Sequence, residues 1–316
     1  MLRPTWALWS NQMSSIDKSP TGTVQENMRV FDRRLVRQRR ARAWPGLVDP
    51  RLQNDFLLQH AAQNIADRIV DTTRRFPRAL VLGRRGTALE SALRATGRID
   101  TLVVADLIAD SAPDFVADEE ALPFADQRFD LVVSNLALHW VNDLPGALLQ
   151  IRRCLVPDGL FLASMLGGTT LHELRQALLA AELSLRGGAA QRVSPFADIR
   201  DAAGLLQRAG FALPVADREV VPVLYREPMR LFSDLRGMGE TAALAETAPP
   251  LTRGVLIDAI QRWQRAHSDE EGRTRATFEL LHLTGWAPAA SQPQPLKRGS
   301  ATTRLADALG VPEHKA

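Results

Sequence analysis

The run Phe129-Asp130-Leu131-Val132-Val133-Ser134-Asn135 constrains this chain more than any other segment. Its apolar residues are close to continuous rather than alternating. That is the pattern of a strand covered on both faces, and such strands belong to parallel sheets flanked by helices. The acidic pair Asp118-Glu119 and a turn precede it, and a short tip carrying His139-Trp140 follows before the next helix. Ligands of open parallel sheets bind in the crevice outside the carboxyl ends of the strands. Asn135 and His139 are therefore expected at a small-molecule site.

Apolar periodicity extends the pattern to either side. Strands are expected at Ala79–Leu82, Leu102–Ala105, Phe129–Ser134 and Leu160–Met165, with helices at Asp55–Val70, Thr87–Ala95 and Leu144–Leu155. Alternating strands and helices argue an α/β, doubly wound, mostly parallel sheet of Rossmann-like type. One link is short. Only eight residues separate Asp106 from Phe115, whereas a parallel crossover needs roughly a dozen. The edge strand at Phe115–Ala117 should be rudimentary.

Beyond Met165 helices are expected at Thr170–Leu185, Asp198–Ala209, Leu231–Met238 and Leu251–Ala266. Glu219–Tyr225 reads as a strand, and Ala276–Leu283 as strand or helix. The expected organisation is an extension at 1–27 read as disordered, basic and covering helices at 28–72, and a nucleotide-binding core at 73–168. A helical cap with the antiparallel end of the sheet follows at 169–286, then an extended segment at 287–316. The arginine-dense stretch Met28–Trp44 reads as a helix packing Phe31 and Leu35 on the fold. Basic amphipathic helices also dock to anionic membranes or acidic partners.

Composition excludes several classes. Net charge is only +3, so no nucleic-acid partner is implied. Lysine occurs at 18, 297 and 315 alone, which leaves arginine as nearly the whole basic complement. The single cysteine, Cys154, rules out an internal disulfide and a thiolate metal site, and its apolar helix makes it a buried thiol. No apolar run reaches the ~18–20 residues of a membrane span. A cytoplasmic protein is expected, with contact at the inner face of the membrane left open.

Three motifs carry a family resemblance: Asp118–Phe124 (DEEALPF), Phe129–Asn135 (FDLVVSN) and the turn Leu155–Leu160 (LVPDGL). They resemble the class I S-adenosylmethionine (SAM)-dependent methyltransferases. The runs LALHWVNDLPGALLQIRRCLVPDG, GGTTLHELR, SPFADIRDAAGLLQRAGF, DLRGMGE and KRGSATTRL narrow the likeness. They resemble the family of the fifth mitochondrial complex I assembly factor and its bacterial relatives, over about Phe31 to Leu305. The resemblance implies a SAM-type fold, an NADH dehydrogenase subunit as partner, and modification of an arginine there, described for this family as hydroxylation.

By the same resemblance Gly83, Gly86, Asp106, Asp118, Glu119 and Asn135 are the expected cofactor-binding positions, with Asp106 on the ribose and Asp118 and Glu119 on the adenine. An acid at a strand end can accept two ribose hydrogen bonds. His139 and Asn135 are the catalytic candidates, His139 as general base near neutral pH. Its apolar neighbours Leu136, Leu138 and Val141 fit a packed histidine equally well.

The glycine loop departs from the family pattern of an acid followed by G-x-G-x-G. Val81 stands at the acid position, and Gly83-Arg84-Arg85-Gly86 puts arginine where the second glycine belongs. Two like charges ~5 Å apart at an effective dielectric of about 20 repel by on the order of 3 kcal/mol, or ~100-fold in affinity. Either these side chains turn outward or SAM binds weakly or not at all. An anion site on Arg84, Arg85 and the following helix start, taking a phosphate or carboxylate in place of SAM, is the minor alternative. His267-Ser268-Asp269 with His282 has the residue types of an iron site, but it falls in a stretch read as a loop outside the sheet, so the spacing is read as chance and no metal ligand is assigned. The favoured activity is a SAM-dependent methyltransferase acting on a protein in complex I assembly. Arginine hydroxylation and a non-catalytic scaffold are the alternatives.

Overall fold

The computed structural model describes residues 29–49, 51, 55–293 and 310. The expected disordered extension at 1–27 and most of the C-terminal segment lie outside the described residues. A seven-stranded sheet of order β3-β2-β1-β4-β5-β7-β6 forms the frame. Its strands are β1 (Phe76–Leu82), β2 (Ile99–Asp106), β3 (Phe115–Val116), β4 (Phe129–Asn135), β5 (Leu155–Leu166), β6 (Ala212–Tyr225) and β7 (Thr274–Trp286). The first five are mutually parallel, while β7 runs antiparallel between β5 and β6. The order reverses between β1 and β4, which places a crevice above their carboxyl ends.

The helices are α1 (Arg33–Val48), α2 (Phe56–Val70), α3 (Ala88–Ala95), α4 (Leu144–Cys154), α5 (His172–Arg186), α6 (Ile199–Arg208), α7 (Met229–Gly237) and α8 (Arg253–His267). Strand alternation assigns them to faces. Ala79, Val81, Leu131, Val133, Leu160 and Leu162 pack on α2 and α3. Leu80, Leu82, Val132, Phe161, Ala163 and Met165 pack on α4 and α6. The sheet is therefore buried on both sides, as the apolar run of β4 requires. A further cluster joins α1, α5, α7 and α8 to the first turns of α2 and to β7.

Segment Ala276–Leu283, open to either reading in the sequence, lies in β7, and β6 begins seven residues before the expected Glu219. Strand β3 is only two residues long. Its link from β2 is a single 3-10 turn (Ala109–Ser111), closed by Ala112 at φ 49°. α6 packs beside α4 against the sheet, away from the crevice. Cys154 is a fully buried free thiol, as its helix implied.

α1 differs from the other helices. Its inward stripe is Val36, Arg40, Ala43 and Leu47, so an arginine stands in the middle of the buried face. α2, of nearly equal length, buries seven residues, all apolar. Asp32 caps the start of α1 by accepting from the Arg34 and Leu35 amides. Phe31 packs edge-on against Trp140, ring centroids 5.2 Å apart, with Leu35 beside them. That packing of Phe31 and Leu35 agrees with the expectation. The placement of the helix as a roof over the crevice was not foreseen.

Candidate functional site

Four strand ends supply the crevice. After β1 the chain turns through Gly83 at φ 83°, a conformation that glycine adopts without a side-chain clash. A Cβ on Gly83 would stand 2.5 Å from the Ala137 Cβ and 3.3 Å from a Glu119 oxygen. The glycine therefore allows a close approach, but the chain itself fills the space. Gly86, at φ 79°, passes under Leu47 of α1.

Asp106 ends β2 and is 1% exposed. Its carboxylate accepts from the Leu107 amide (2.8 Å) and the Ser111 hydroxyl (2.7 Å), and the Arg40 guanidinium lies 3.9 Å away. Burial pushes its pKa up, with Arg40 and Ser111 opposing. Asp118 and Glu119 meet Arg33, and Arg40 donates to Glu119 (2.5 Å) and to the Ala137 carbonyl (3.1 Å). Burial alone would raise the Glu119 carboxyl, but Arg40 and Arg33 hold it at about 2. The expected ribose and adenine acids are thus brought together, and arginines of α1 occupy them.

The glycine-loop arginines point in different directions. Arg84 pairs with Glu90 of α3 (2.6 Å), donates to the Ser111 carbonyl (2.5 Å), and lies over the Trp44 ring. Arg85 turns inward and is buried, donating to the Leu136 and Met238 carbonyls and to Glu240 (2.6 Å). Glu240 also accepts from His139 Nε2 (2.9 Å) and Trp140 Nε1 (2.9 Å). Burial would raise Glu240, yet Arg85 and His139 keep it at about 2. Both guanidinium groups are committed to carboxylates and carbonyls, in place of the alternative anion site.

His139 lies in this network. Burial lowers its pKa despite Glu240, with Arg85 and Arg40 adding to the drop. A neutral ring that donates from Nε2 to Glu240 leaves Nδ1 as acceptor, and the Leu166 amide points at it from 3.4 Å. Asn135 donates to the Leu58 carbonyl of α2 (2.9 Å), and its Oδ1 is buried without a partner. The residues of the iron-type spacing separate. His282 bonds Ser164 and Glu219, while Asp269 pairs with Arg273. Among the described residues no group of three His, Cys, Asp or Glu could hold a metal ion.

SAM does not fit the crevice in this conformation. Its ribose acid is engaged by the chain's own donors, its adenine acids are paired to α1, and Arg85 turns inward onto Glu240 after the first glycine. Arg33, Arg40 and Glu240 escaped sequence reasoning. Arg40 left a weak signal, since Val36, Arg40, Ala43 and Leu47 share one helical face. Glu240 left none beyond its place in the DLRGMGE run.

Sheet order and crevice together define a protein of the class I methyltransferase fold. Residues 95–163 match the family described as "Methyltransferase domain". A Bacillus halodurans C-125 chain described provisionally as a methyltransferase superimposes with a TM-score of 0.50 at 15% identity, covering 72% of this chain and 99% of that one. Over 293 residues the chain is 37% identical to "Arginine-hydroxylase NDUFAF5, mitochondrial" of Danio rerio, covering 90% of each. The protein of that name from Homo sapiens is 37% identical over 299 residues, covering 92% of this chain and 86% of the relative. The chain belongs to the NDUFAF5 arginine-hydroxylase family. A malonyl-[acyl-carrier protein] O-methyltransferase of Gallionella capsiferriformans shares 34% identity over 174 residues, 55% of this chain and 57% of that one.

Proposed function

We propose that this chain acts on an arginine side chain of a partner protein, at the carboxyl ends of β1, β2 and β4, during assembly of the respiratory NADH dehydrogenase. The observation that carries the reading is a ring of carboxylates already occupied by guanidinium groups. Asp106, Glu119 and Glu240 are all at most 7% exposed, and Arg40, Arg33 and Arg85 stand against them. Carboxylate pairs match the planar fork of a guanidinium better than they match an ammonium. A site built this way selects arginine. Its relatives' name, arginine-hydroxylase, agrees with that selectivity.

Within the site the residues divide the work. Glu119 and Asp106 hold and orient the guanidinium, and Glu240 fixes Arg85, His139 and the Trp140 indole as one unit. His139, neutral and tied through Nε2, is a candidate proton acceptor at Nδ1 once the weak Leu166 contact yields. Asn135 Oδ1, buried and unpaired, is a second polar group available to a ligand. Hydroxylation adds one oxygen to the substrate and requires an oxidant from outside these residues.

SAM-dependent methyl transfer is the second reading. Asp106 at the end of β2 and Gly83 at positive φ favour it, and it requires Arg33 and Arg40 to withdraw. No helix among the described residues is long and apolar enough to cross a membrane. A cytoplasmic location, with the exposed arginines of α1 toward the inner face of the membrane, completes the proposal.

Mass spectrometry of NADH dehydrogenase subunits from cells with and without this protein tests the reading. A protein-dependent gain of one oxygen on an arginine supports it, and a gain of one methylene favours the second reading. No mass change on any arginine overturns the arginine reading. Calorimetric titration with SAM adds an independent arm: micromolar binding lost in Asp106→Ala would place the cofactor in the crevice.

A further inference from the structure

We propose that α1 is an internal plug whose Arg40 occupies the seat of the substrate arginine, so that the site is closed until a partner displaces the helix. This rests on the arginine-site reading above and adds to it how the site is regulated. Arg40 is 3% exposed and makes two of its hydrogen bonds to groups at the strand ends, Glu119 and the Ala137 carbonyl. Those are contacts that an incoming guanidinium would make.

The seating is incomplete. Arg40 Nε and Arg33 Nε are both buried without a hydrogen-bond partner. A buried donor left unpaired loses its hydration without a hydrogen bond in return. An arginine entering from another chain, free to approach at its own angle, escapes that cost.

The kind of contact also favours displacement. α1 buries Val36, Ala43 and Leu47 as apolar residues along its length and packs Leu35 beside Trp140, and the inward contacts of Arg33, Arg39 and Arg40 are ion pairs and hydrogen bonds to carbonyls. When a buried ion pair separates and both charges reach water, regained hydration offsets most of the lost attraction. A helix held by apolar area has no such return. Pro45, inside the last turn, removes one helical hydrogen bond and weakens that end.

Charge explains what would take the place of α1. With the helix lifted away, Asp106, Asp118 and Glu119 lose their arginine partners, while Arg85 stays paired with Glu240. That surplus of carboxylates attracts a cationic segment and disfavours an anionic one. The occupant is therefore an arginine-bearing segment of a partner protein.

Two variants of the full chain test the plug, with Nα-acetyl-arginine amide as probe, Nα-acetyl-lysine amide as control, and calorimetry as readout. In Arg40→Ala the seat is vacated, and the arginine probe should bind at least about tenfold more tightly than to the wild type, the factor by which self-occupancy reduces apparent affinity. The lysine control should gain little. The second variant locks the helix. A Cβ on Gly239 would lie 3.3 Å from the Ala43 Cβ, close to disulfide spacing. In the Ala43→Cys/Gly239→Cys pair, oxidation should weaken the arginine probe at least about tenfold relative to the reduced form, because α1 can no longer leave.

The lock compares two redox states of one protein, so it stands even if Arg40→Ala does not fold. Equal binding by oxidised and reduced forms overturns the plug. So does a folded Arg40→Ala chain that binds no better than the wild type. If the probe binds all forms equally and Glu119→Gln abolishes binding, the arginine site survives and the plug fails. Absence of binding to every form overturns both.

Discussion

Glu119 has no exposed surface, yet it stays ionised because Arg40 and Arg33 both face it. Removing one partner of such a buried set leaves the others unpaired in a medium that solvates them poorly. Glu119→Gln should therefore lower unfolding stability by about 3–5 kcal/mol, the usual cost of breaking a buried pair. Asp118→Asn is the contrasting change. Its side chain is 30% exposed, and the cost should stay below about 1 kcal/mol, as for solvent-screened pairs. Urea unfolding monitored by circular dichroism measures both, and equal losses would contradict the assignment of Glu119 as the hub. Asp106 was legible from its place at a strand end and Asp118 and Glu119 from the family motif, whereas Glu240 and the arginine partners were not. Arg40 lies 79 residues from Glu119, and Glu240 lies 155 residues from Arg85. No local periodicity encodes a contact at that separation.

Among the elements, α1 and α2 make an informative pair. They have 16 and 15 residues, but α2 buries seven apolar residues and α1 only three, with Arg40 among them. Local stability follows buried apolar contact. Amides of α1 should exchange with deuterium at least about tenfold faster than those of α2 under native conditions, while β1 and β4 exchange slowest. Hydrogen-exchange mass spectrometry reads this directly. Equal protection of α1 and α2 would argue that the roof is a permanent part of the core. Apolar periodicity located α2 to within a residue, because an apolar face is a local property, whereas α1, read from its arginine-dense stretch as Met28–Trp44, spans Arg33–Val48. The face that α1 turns inward was hidden, since a buried arginine looks like a solvated one until its acids are in place.

For the whole molecule, pH should act through the crevice. His139 is held neutral in the folded state, its pKa pushed below 6.5 by burial, while unfolding frees it to protonate. Its contribution is full above about pH 6.5 and is lost as pH falls. Glu119 and Glu240 are held at about 2 against an ordinary 4.5. They contribute fully above pH 4.5 and lose that contribution as pH falls toward 2. Asp106, raised by burial, works in the opposite sense and offsets part of the loss. The melting temperature should decline from neutral pH downward, most steeply below 4.5. His139→Gln keeps a donor for Glu240 and removes the titrating ring, so it should flatten the limb between pH 6.5 and 4.5. An unchanged limb would show that another group titrates there.

The amino-acid sequence by itself determined the sheet. The buried run of β4, the strand and helix alternation on either side, and the acids at strand ends all follow from which residues prefer water and which do not. The two-residue β3 follows from a crossover too short to carry a helix. Only the tertiary structure decided what those acids face. Burial turns a carboxylate from a solvated group into one that must find a cation, and the nearest cations come from segments remote in the chain, Arg33 and Arg40 before the sheet begins and Arg85 turned inward beneath Glu240. Charge pairing of this kind depends on distance in space and on exclusion of water, and neither quantity exists until the chain has folded.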